Sequence, residues 1–454
     1  PCAQFGQSRG GLPHGNGHPR TARNPSQRLT DANENEIRSQ LDIFAKGRIM
    51  EKRQKTAILV AAAFLGMATT SAFASGPGVV PSNFAVPGTA APTYGAAAEI
   101  VSYTDLVHRS YTDAYNKAVV LQTAVAGLLA APSDATLGVA REAWIGAHVA
   151  YSHTEAFRFY EGPIDFAAKE DGDEGPEGRL NAWPLNEAFI DYVKGNPKAG
   201  IINDPSIALS EKSIRERDQV SDESDVTTGY HAVEFLLWGQ DESTTGPGAR
   251  PASDYVAGDA IKERRRLYLK TITDGIVDDM LWLSAQWDVR NGKVFVHQFT
   301  ALDQRDALGR IITGMATLSG FELSSERMSV ALDSGDQEDE TSCFSDTSHL
   351  AFAADQQSIA NIWFGELGEW KGTGLQALVA RVDPALEKRV SAQVRKTSAS
   401  LAAIPAPVDR ILASAEGSAG RAKMEAAVAN LTSESKMLVE VGKALGLTIS
   451  VATD

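Results

Sequence analysis

Apolar residues along most of this chain recur every three to four positions. Between residues 100 and 131, Val101, Leu106, Tyr111, Tyr115, Val119, Leu121, Val125 and Leu128 follow that spacing, which predicts one long amphipathic helix. Pro132 ends it. Ser133-Asp134 offers a cap for a second, aromatic-rich helix over 135–160 that carries Trp144, Tyr151, Phe157, Phe159 and Tyr160. An acidic, loop-rich stretch follows at 164–179, then a short helix over 185–193 and a polar, turn-prone stretch to 225. Residues 229–241, GYHAVEFLLWGQD, contain a short and strongly apolar helix. The Gly, Pro, Ser and Thr of 242–253 mark a boundary. Helices are expected again over 255–286, with Arg264, Arg265 and Arg266 on the solvent side, and over 294–318, 322–332, 350–370, 374–402 and 407–447.

Alternating β patterns are nearly absent, so the expectation is an all-α protein of two tandem helical-bundle domains, 99–250 and 251–454. The halves share an order of elements. Phe235-Leu-Leu-Trp238-Gly239 resembles Ile362-Trp363-Phe364-Gly365, which points to a diverged duplication with Gln357 and Ala360 opposite His231 and Glu234.

The first 98 residues read differently. Residues 1–49 are rich in Gly, Arg, Asn, Gln and Ser and lack sustained periodicity; they are read as a disordered, non-native upstream extension, with His14 and His18 there by chance. Met50 opens a basic run with Lys52, Arg53 and Lys55, followed by an apolar core at 57–68 and an A-x-A site at Ala72-Phe73-Ala74. That order is a cleavable signal peptide over 50–74, cut near Ala74. The Gly/Pro/Ala stretch 75–98 is a linker. Export to the periplasm or outer cell envelope is therefore expected. No later apolar run reaches the ~18 residues a spanning helix needs, so the mature chain should carry no transmembrane span.

Composition adds two constraints. The 454 residues carry a net charge of -15, which argues against nucleic acid as a partner and is compatible with handling cations. Of two cysteines, Cys2 and Cys343, the first precedes the cleavage site, so no intramolecular disulfide is expected. Cys343 is either a small buried hydrophobe or a soft metal ligand.

The candidate chemistry centres on His231 and Glu234. Three apart on a helix, they share a face and can bind one ion. Imidazole nitrogen with carboxylate oxygen suits iron or zinc. Their neighbours are apolar, so two ionisable groups there need partners; a mutually satisfied core pair is the structural alternative. Further ligands must come from elsewhere. The helix at 135–160 offers His148, His153, Glu155 and Arg158, and Asp165 follows. Glu155 ranks first and Asp165 second as added metal ligands, with Arg158 orienting a carboxylate or binding an anion. An ion pair between Glu155 and Arg158 is the competing reading. The acidic run Gln337-Glu338-Asp339-Glu340 resembles a hard-cation site or a solvated charge run, and Cys343, Asp346 and His349 lie close by in sequence. Zincin, nucleophile-elbow, P-loop, dinucleotide and haem-attachment motifs are missing.

Gly229-Tyr-His231-Ala-Val-Glu234 resembles the G-x-H-x-x-E signature of the imelysin family and of its iron-regulated protein A group. Other stretches resemble the same group in order: Arg141-Glu-Ala-Trp144, Glu155-Ala-Phe157-Arg158, Gly162-Pro163-Ile-Asp165, Leu180-Asn-Ala-Trp183-Pro184, Glu326-Arg327-Met328, and Gln337-Glu338-Asp339-Glu340 with Ser342-Cys343-Phe344-Ser345-Asp346. The resemblance covers roughly 100–447. It implies two helical bundles joined face to face with the site at their junction, an exported protein, and a role in iron uptake or handling. It implies a divalent or trivalent metal ion as the bound species, iron or zinc. The partners it implies are a metal or iron chelate and an envelope iron transporter. It carries over His231 and Glu234 as the signature pair, with Gly229, Trp144, Asp241, Glu326, Glu338, Asp339 and Asp346 as supporting positions. The family is also classed among metallopeptidases, which leaves a peptidase using the same pair as an alternative. A helical module for haem or another ligand, with a structural His–Glu pair, is a third reading.

Overall fold

The computed structural model describes Phe84, residues 94–168 and residues 173–451. The upstream extension, the signal peptide, Cys2 and most of the 75–98 linker lie outside the described residues.

The described chain is mainly helical, with almost no strand. Helix α1, Ala97–Ala130, buries Ile100, Tyr103, Leu106, Val107, Tyr111, Ala114, Ala118, Leu121, Val125 and Leu128, a stripe spaced by three and four. Ser133 then starts α2, Asp134–Ser152, with a reciprocal cap: its Oγ accepts from the Thr136 amide at 3.2 Å, and its own amide donates to Thr136 Oγ1 at 3.0 Å. Helix α3, Gly229–Trp238, is buried at every position. Asp259 caps α4, Ala260–Trp287, by accepting from the Ile261 and Lys262 amides at 2.9 and 3.0 Å. Helices α2 and α4 both pack along α1, and α3 fits against α2 and α4.

The second group begins with α5, Gln304–Thr317, which runs on through a π-helical stretch, Leu318–Ser329, into a final α turn, Val330–Ser334. Helix α6, Ser348–Phe364, is followed by α7, Leu375–Val382, and α8, Pro384–Ala402, the break falling at Asp383-Pro384. Helix α9, Ala419–Ala444, packs against α5, its π-helical continuation and α8. The turn-rich stretch 242–253 lies within the first group, where Arg250 bonds Asp191 at 2.7 Å. Strands are confined to two short antiparallel pairs, Phe166–Ala168 with Asp173–Glu174 and Glu366–Leu367 with Trp370–Lys371.

Three local expectations change. The second helix stops at Ser152 rather than 160. Ser152 Oγ donates to the His148 carbonyl at 3.0 Å and Thr154 Oγ1 to that of Tyr151 at 2.7 Å. The chain then makes a 3-10 turn, Glu155–Phe157, whose Ala156 amide donates to Ser358 Oγ of α6 at 3.1 Å. Gly314 of α5 allows that approach, because a Cβ there would meet the Ala156 carbonyl at 2.5 Å. A contact between the two helical groups thus overrides the local periodicity. Arg265, expected in solvent, is 3% exposed. Its guanidinium binds Asp191 at 2.6 and 3.0 Å, and a buried carboxylate of that kind requires a buried cation. The stretch expected as one helix over 294–318 is broken into Phe295–Thr300 and α5, with Asp303 capping the second by accepting from the Arg305 amide at 2.9 Å.

The two ends of the described chain meet. Phe84 is buried against Gly309 of α5, its amide donates to Asp306 at 3.4 Å, and its carbonyl accepts from the Thr448 amide at 2.9 Å. Tyr94 donates its hydroxyl to the Leu445 carbonyl at 2.7 Å.

Inside the second group, Glu434 of α9 is fully buried and accepts from Gln356 Nε2 at 3.0 Å on both oxygens. Burial pushes its carboxyl up to about 7 from 4.5, against the lowering effect of its Thr397 and Gln356 hydrogen bonds. The folded state holds this proton more tightly than the unfolded state. The stability it confers is therefore complete below about 4.5 and is lost as pH rises through about 7. Glu434→Gln should stabilise the protein by about 2 kcal/mol at pH 8 and by little at pH 4.5. Chemical denaturation at the two pH values measures the difference, and equal effects at both would refute it.

Candidate functional site

Helix α3 turns His231 and Glu234 to one face, as i,i+3 spacing requires. Their side chains are 2% and 0% exposed, and His231 Nδ1 lies 2.9 Å from Glu234 Oε2. The other carboxylate oxygen, Oε1, accepts from the Ser345 amide at 2.9 Å and from Ser345 Oγ at 2.6 Å. On the far side of the ring, His231 Nε2 lies 3.2 Å from Asn181 Oδ1. His148 of α2 presents its Nε2 to the same oxygen at 3.1 Å.

Asn181 is the hinge of this network. Its Nδ2 donates to Glu155 Oε1 at 3.3 Å, which leaves Oδ1 as an acceptor for both histidines. Each histidine therefore carries its proton on Nε2, and His231 Nδ1 keeps its lone pair toward Glu234. The electrostatics agree. Burial holds His231 neutral down to about 3, helped by the charge of Arg327. Burial also holds His148 neutral to about 3, with His231 adding to the effect. Burial raises Glu234 to about 8, although the Ser345 hydrogen bonds favour its anion. Glu234 thus donates its own proton to His231 Nδ1.

Glu155, expected first among the added ligands, is completely buried. Its Oε2 accepts from Arg158 Nη1 at 3.0 Å and from Arg327 Nη2 at 2.9 Å, so the ion pair with Arg158 is present. With Oε1 on Asn181, neither oxygen is free to point at an ion. Burial disfavours the Glu155 anion, but the two arginines outweigh it and hold the carboxyl below its usual range. Asp165 accepts from the Phe159 amide at 2.9 Å and faces Arg158 Nε at 3.5 Å, with burial raising it to about 6. Arg158 also pairs with Glu177 at 2.9 Å. Arg327 also pairs with Asp355 at 3.0 Å and Glu322 at 2.9 Å, and lies 5.0 Å over the Trp183 ring. Glu155 and Asp165 are thus anchored in a buried arginine–carboxylate lattice, one step removed from the histidine.

Among the supporting positions, Trp144 stacks on His148 at 4.9 Å and donates its indole N–H to the Tyr230 carbonyl at 2.8 Å. Gly229 begins α3 at φ 83. Glu326 is half-buried on the π-helical stretch beside Arg327. Glu338 lies 4.0 Å from the Cys343 thiol, and Asp339 is half-buried. Cys343 itself is buried. Asp241 and Asp346 meet each other and Asp409, and Asp346 directly follows Ser345, the residue that bonds Glu234. Helix α6 reaches the junction through Asp355 and Ser358, not through Gln357 and Ala360.

Asn181, Ser345 and Arg327 were not singled out from the sequence as site residues. All three sit in stretches whose resemblance was noted, Leu180–Pro184, Ser342–Asp346 and Glu326–Met328. Asp409 sat in no pattern.

The donor set can be tested against a metal ion. Nitrogen and carboxylate oxygen bound to one ion at about 2.0–2.2 Å stand about 3.0 Å apart at octahedral angles and about 3.4 Å apart at tetrahedral ones, and the observed separation of 2.9 Å is near the octahedral value. Metal-binding histidines characteristically donate their second ring N–H to an acceptor that fixes the tautomer, and Asn181 supplies it. The pair therefore fits an ion that replaces the shared proton. His231 and Glu234 would hold it, and Asn181, Glu155 and the arginines would orient His231.

Residues 107–438 match the imelysin family, Peptidase_M75. Iron-regulated protein A of Synechococcus elongatus is 23% identical over 324 residues, covering 70% of this chain and 79% of that protein. Two crystal structures share the fold. One, described as an iron-regulated protein A precursor from Parabacteroides distasonis, has a TM-score of 0.60 at 19% identity and covers 79% of this chain and 97% of its own. The other, an imelysin-like protein from Psychrobacter arcticus, has a TM-score of 0.56 at 15% identity and covers 80% of this chain and 100% of its own. A family match over most of the chain, two helical groups that meet at the signature helix, and relatives of the same fold lead to one assignment: this chain belongs to the imelysin family.

Proposed function

We propose that this protein handles iron in the bacterial cell envelope by binding it, after export on the signal sequence at 50–74. Iron as a free ion or small chelate is the cargo, and an envelope iron transporter is the partner that delivers or receives it. The observation that carries this reading is the placement of His231 between Asn181 and Glu234. Asn181 claims Nε2–H and leaves Nδ1 beside Glu234 Oε2 at the spacing of two ligands on one ion. The iron-regulated name of the Synechococcus relative supports iron as the cargo. Among the described residues no helix is long and apolar enough to cross a membrane.

Metal titration of the purified protein tests it. The wild type should take up one ferrous or zinc ion at this pair, and His231→Ala should lose it while keeping its helical circular dichroism. Unchanged binding in His231→Ala would remove the ion from the pair. Cleavage of casein that is blocked both by chelator and by Glu234→Ala would favour a metallopeptidase instead. Haem binding that persists in His231→Ala, with no metal bound by the wild type, would favour a ligand module with a structural His–Glu pair.

A further inference from the structure

Most deeply buried carboxylates at the junction have a buried arginine against them. Glu155 has Arg327 at 2.9 Å, Asp355 has the same arginine at 3.0 Å, and Asp191 has Arg250 at 2.7 Å and Arg265 at 2.6 Å. Glu234 and Glu434 have no arginine but accept hydrogen bonds from Ser345 and Gln356; one cluster leaves several carboxylate oxygens with neither. Asp241 lies just past the end of α3, Asp346 on the loop before α6, and Asp409 on the short helix Val408–Leu412. One carboxylate oxygen from each lies within 4.8 Å of the others. Glu340, 1% exposed, sits against Asp409 with neither carboxylate oxygen hydrogen-bonded, and Asp409, also 1% exposed, has both oxygens without a donor. One oxygen each of Asp241 and Asp346 is likewise buried without a partner. Among the described residues, no lysine or arginine forms an ion pair with any of the four.

We propose that Asp241, Asp346, Asp409 and Glu340 form a second cation site, built for a hard divalent ion such as calcium, with ligands distinct from the His231–Glu234 pair. Four buried carboxylates without a counter-charge cost several kcal/mol unless something neutralises them. An all-oxygen donor set with no nitrogen or sulfur selects a hard cation. Magnesium is usually held by one or two carboxylates and keeps several waters, whereas calcium accepts many protein oxygens in flexible geometry, so a site of several converging carboxylates favours calcium. Glu340 supplies the independent sign of a ligand, a fully buried carboxylate beside Asp409 that makes no hydrogen bond of normal geometry and has Asp409 and the Ser348 hydroxyl as its polar neighbours. Asp409 also lines a surface groove with Asp336, Gln337 and Leu412, which gives an ion a route in. The alternative occupant is the proton. Burial and mutual repulsion do raise Asp241 to about 6 and Asp346 to about 8, so the test must separate the two.

The full chain, stripped with chelator, is titrated with calcium chloride by calorimetry and melted with and without the ion. Wild type should bind one calcium and gain ~5 °C in Tm at saturation. Asp409→Asn should bind at least ~100-fold more weakly, while in chelator it should melt at or above wild type, because one of four like charges is gone. His231→Ala should keep the calcium response. Should Asp409→Asn not fold, Asp346→Asn carries the same comparison. No heat and no Tm shift in wild type would overturn the site and leave the cluster to protons. An undiminished calcium response in the folded aspartate variant would overturn it equally. The proposal is independent of the iron reading: loss of iron binding in His231→Ala with calcium binding intact, and the converse in Asp409→Asn, tell the two apart.

Discussion

Arg327→Met should lower folding stability by about 3–5 kcal/mol, the cost of breaking a buried ion pair from one side. Arg327 is 1% exposed and reaches Glu155, Glu322 and Asp355 within 3.0 Å. Methionine fills much of the same volume, so the loss would be electrostatic rather than a cavity. It leaves Glu155 and Asp355, both fully buried, with one cation fewer between them. Arg327→Lys should recover only part, because an ammonium cannot span three carboxylates as the guanidinium fork does. Urea denaturation of the three proteins measures this, and a methionine variant within 1 kcal/mol of wild type would refute it. Since Glu155 positions Asn181, and Asn181 fixes His231, the lysine variant should also bind iron less tightly than its fold alone would predict.

Gly229→Ala should be nearly as damaging, at about 3 kcal/mol or more, although it adds only a methyl group. The residue sits at φ 83, and a Cβ there would lie 2.4 Å from the Leu180 carbonyl oxygen and 2.7 Å from that of Arg179. Alanine pays twice, once in backbone strain and once in collision with main chain that cannot rotate away. The segment it pushes is the one that carries Asn181. Both denaturation midpoint and metal affinity should fall, and an alanine variant with wild-type values for both would show that the α3 start is more pliant than its geometry indicates. The glycine of the G-x-H-x-x-E signature is thus explained by close packing against 179–180.

The all-α class, most helix starts and the shared face of His231 and Glu234 were legible because they depend on neighbours in sequence. Ser133 and Asp259 cap through atoms two or three residues away. What could not be read is decided at long range. Glu234 meets Ser345 across 111 residues, and Arg327 meets Glu155 across 172. No spacing rule could separate Glu155 as a ligand from Glu155 as an arginine partner, since the deciding group stands on another helix. The early end of α2 has the same origin, for Ser358 draws the Ala156 amide out of helical register. Arg265 was assigned to solvent because three consecutive arginines imply an exposed face, yet Asp191 takes the middle one inward.

The meeting of Phe84 with Thr448 has a consequence for how the molecule is made. The earliest described residue is held partly by Gly309 and Asp306 and partly by Thr448, which follows it far along the chain. That latch cannot close until residues up to Thr448 are available, whereas α1, α2 and α4 can pair earlier. Loss of the segment that carries Thr448 should therefore spare the first helical group and free Phe84, so that removing either partner exposes the other.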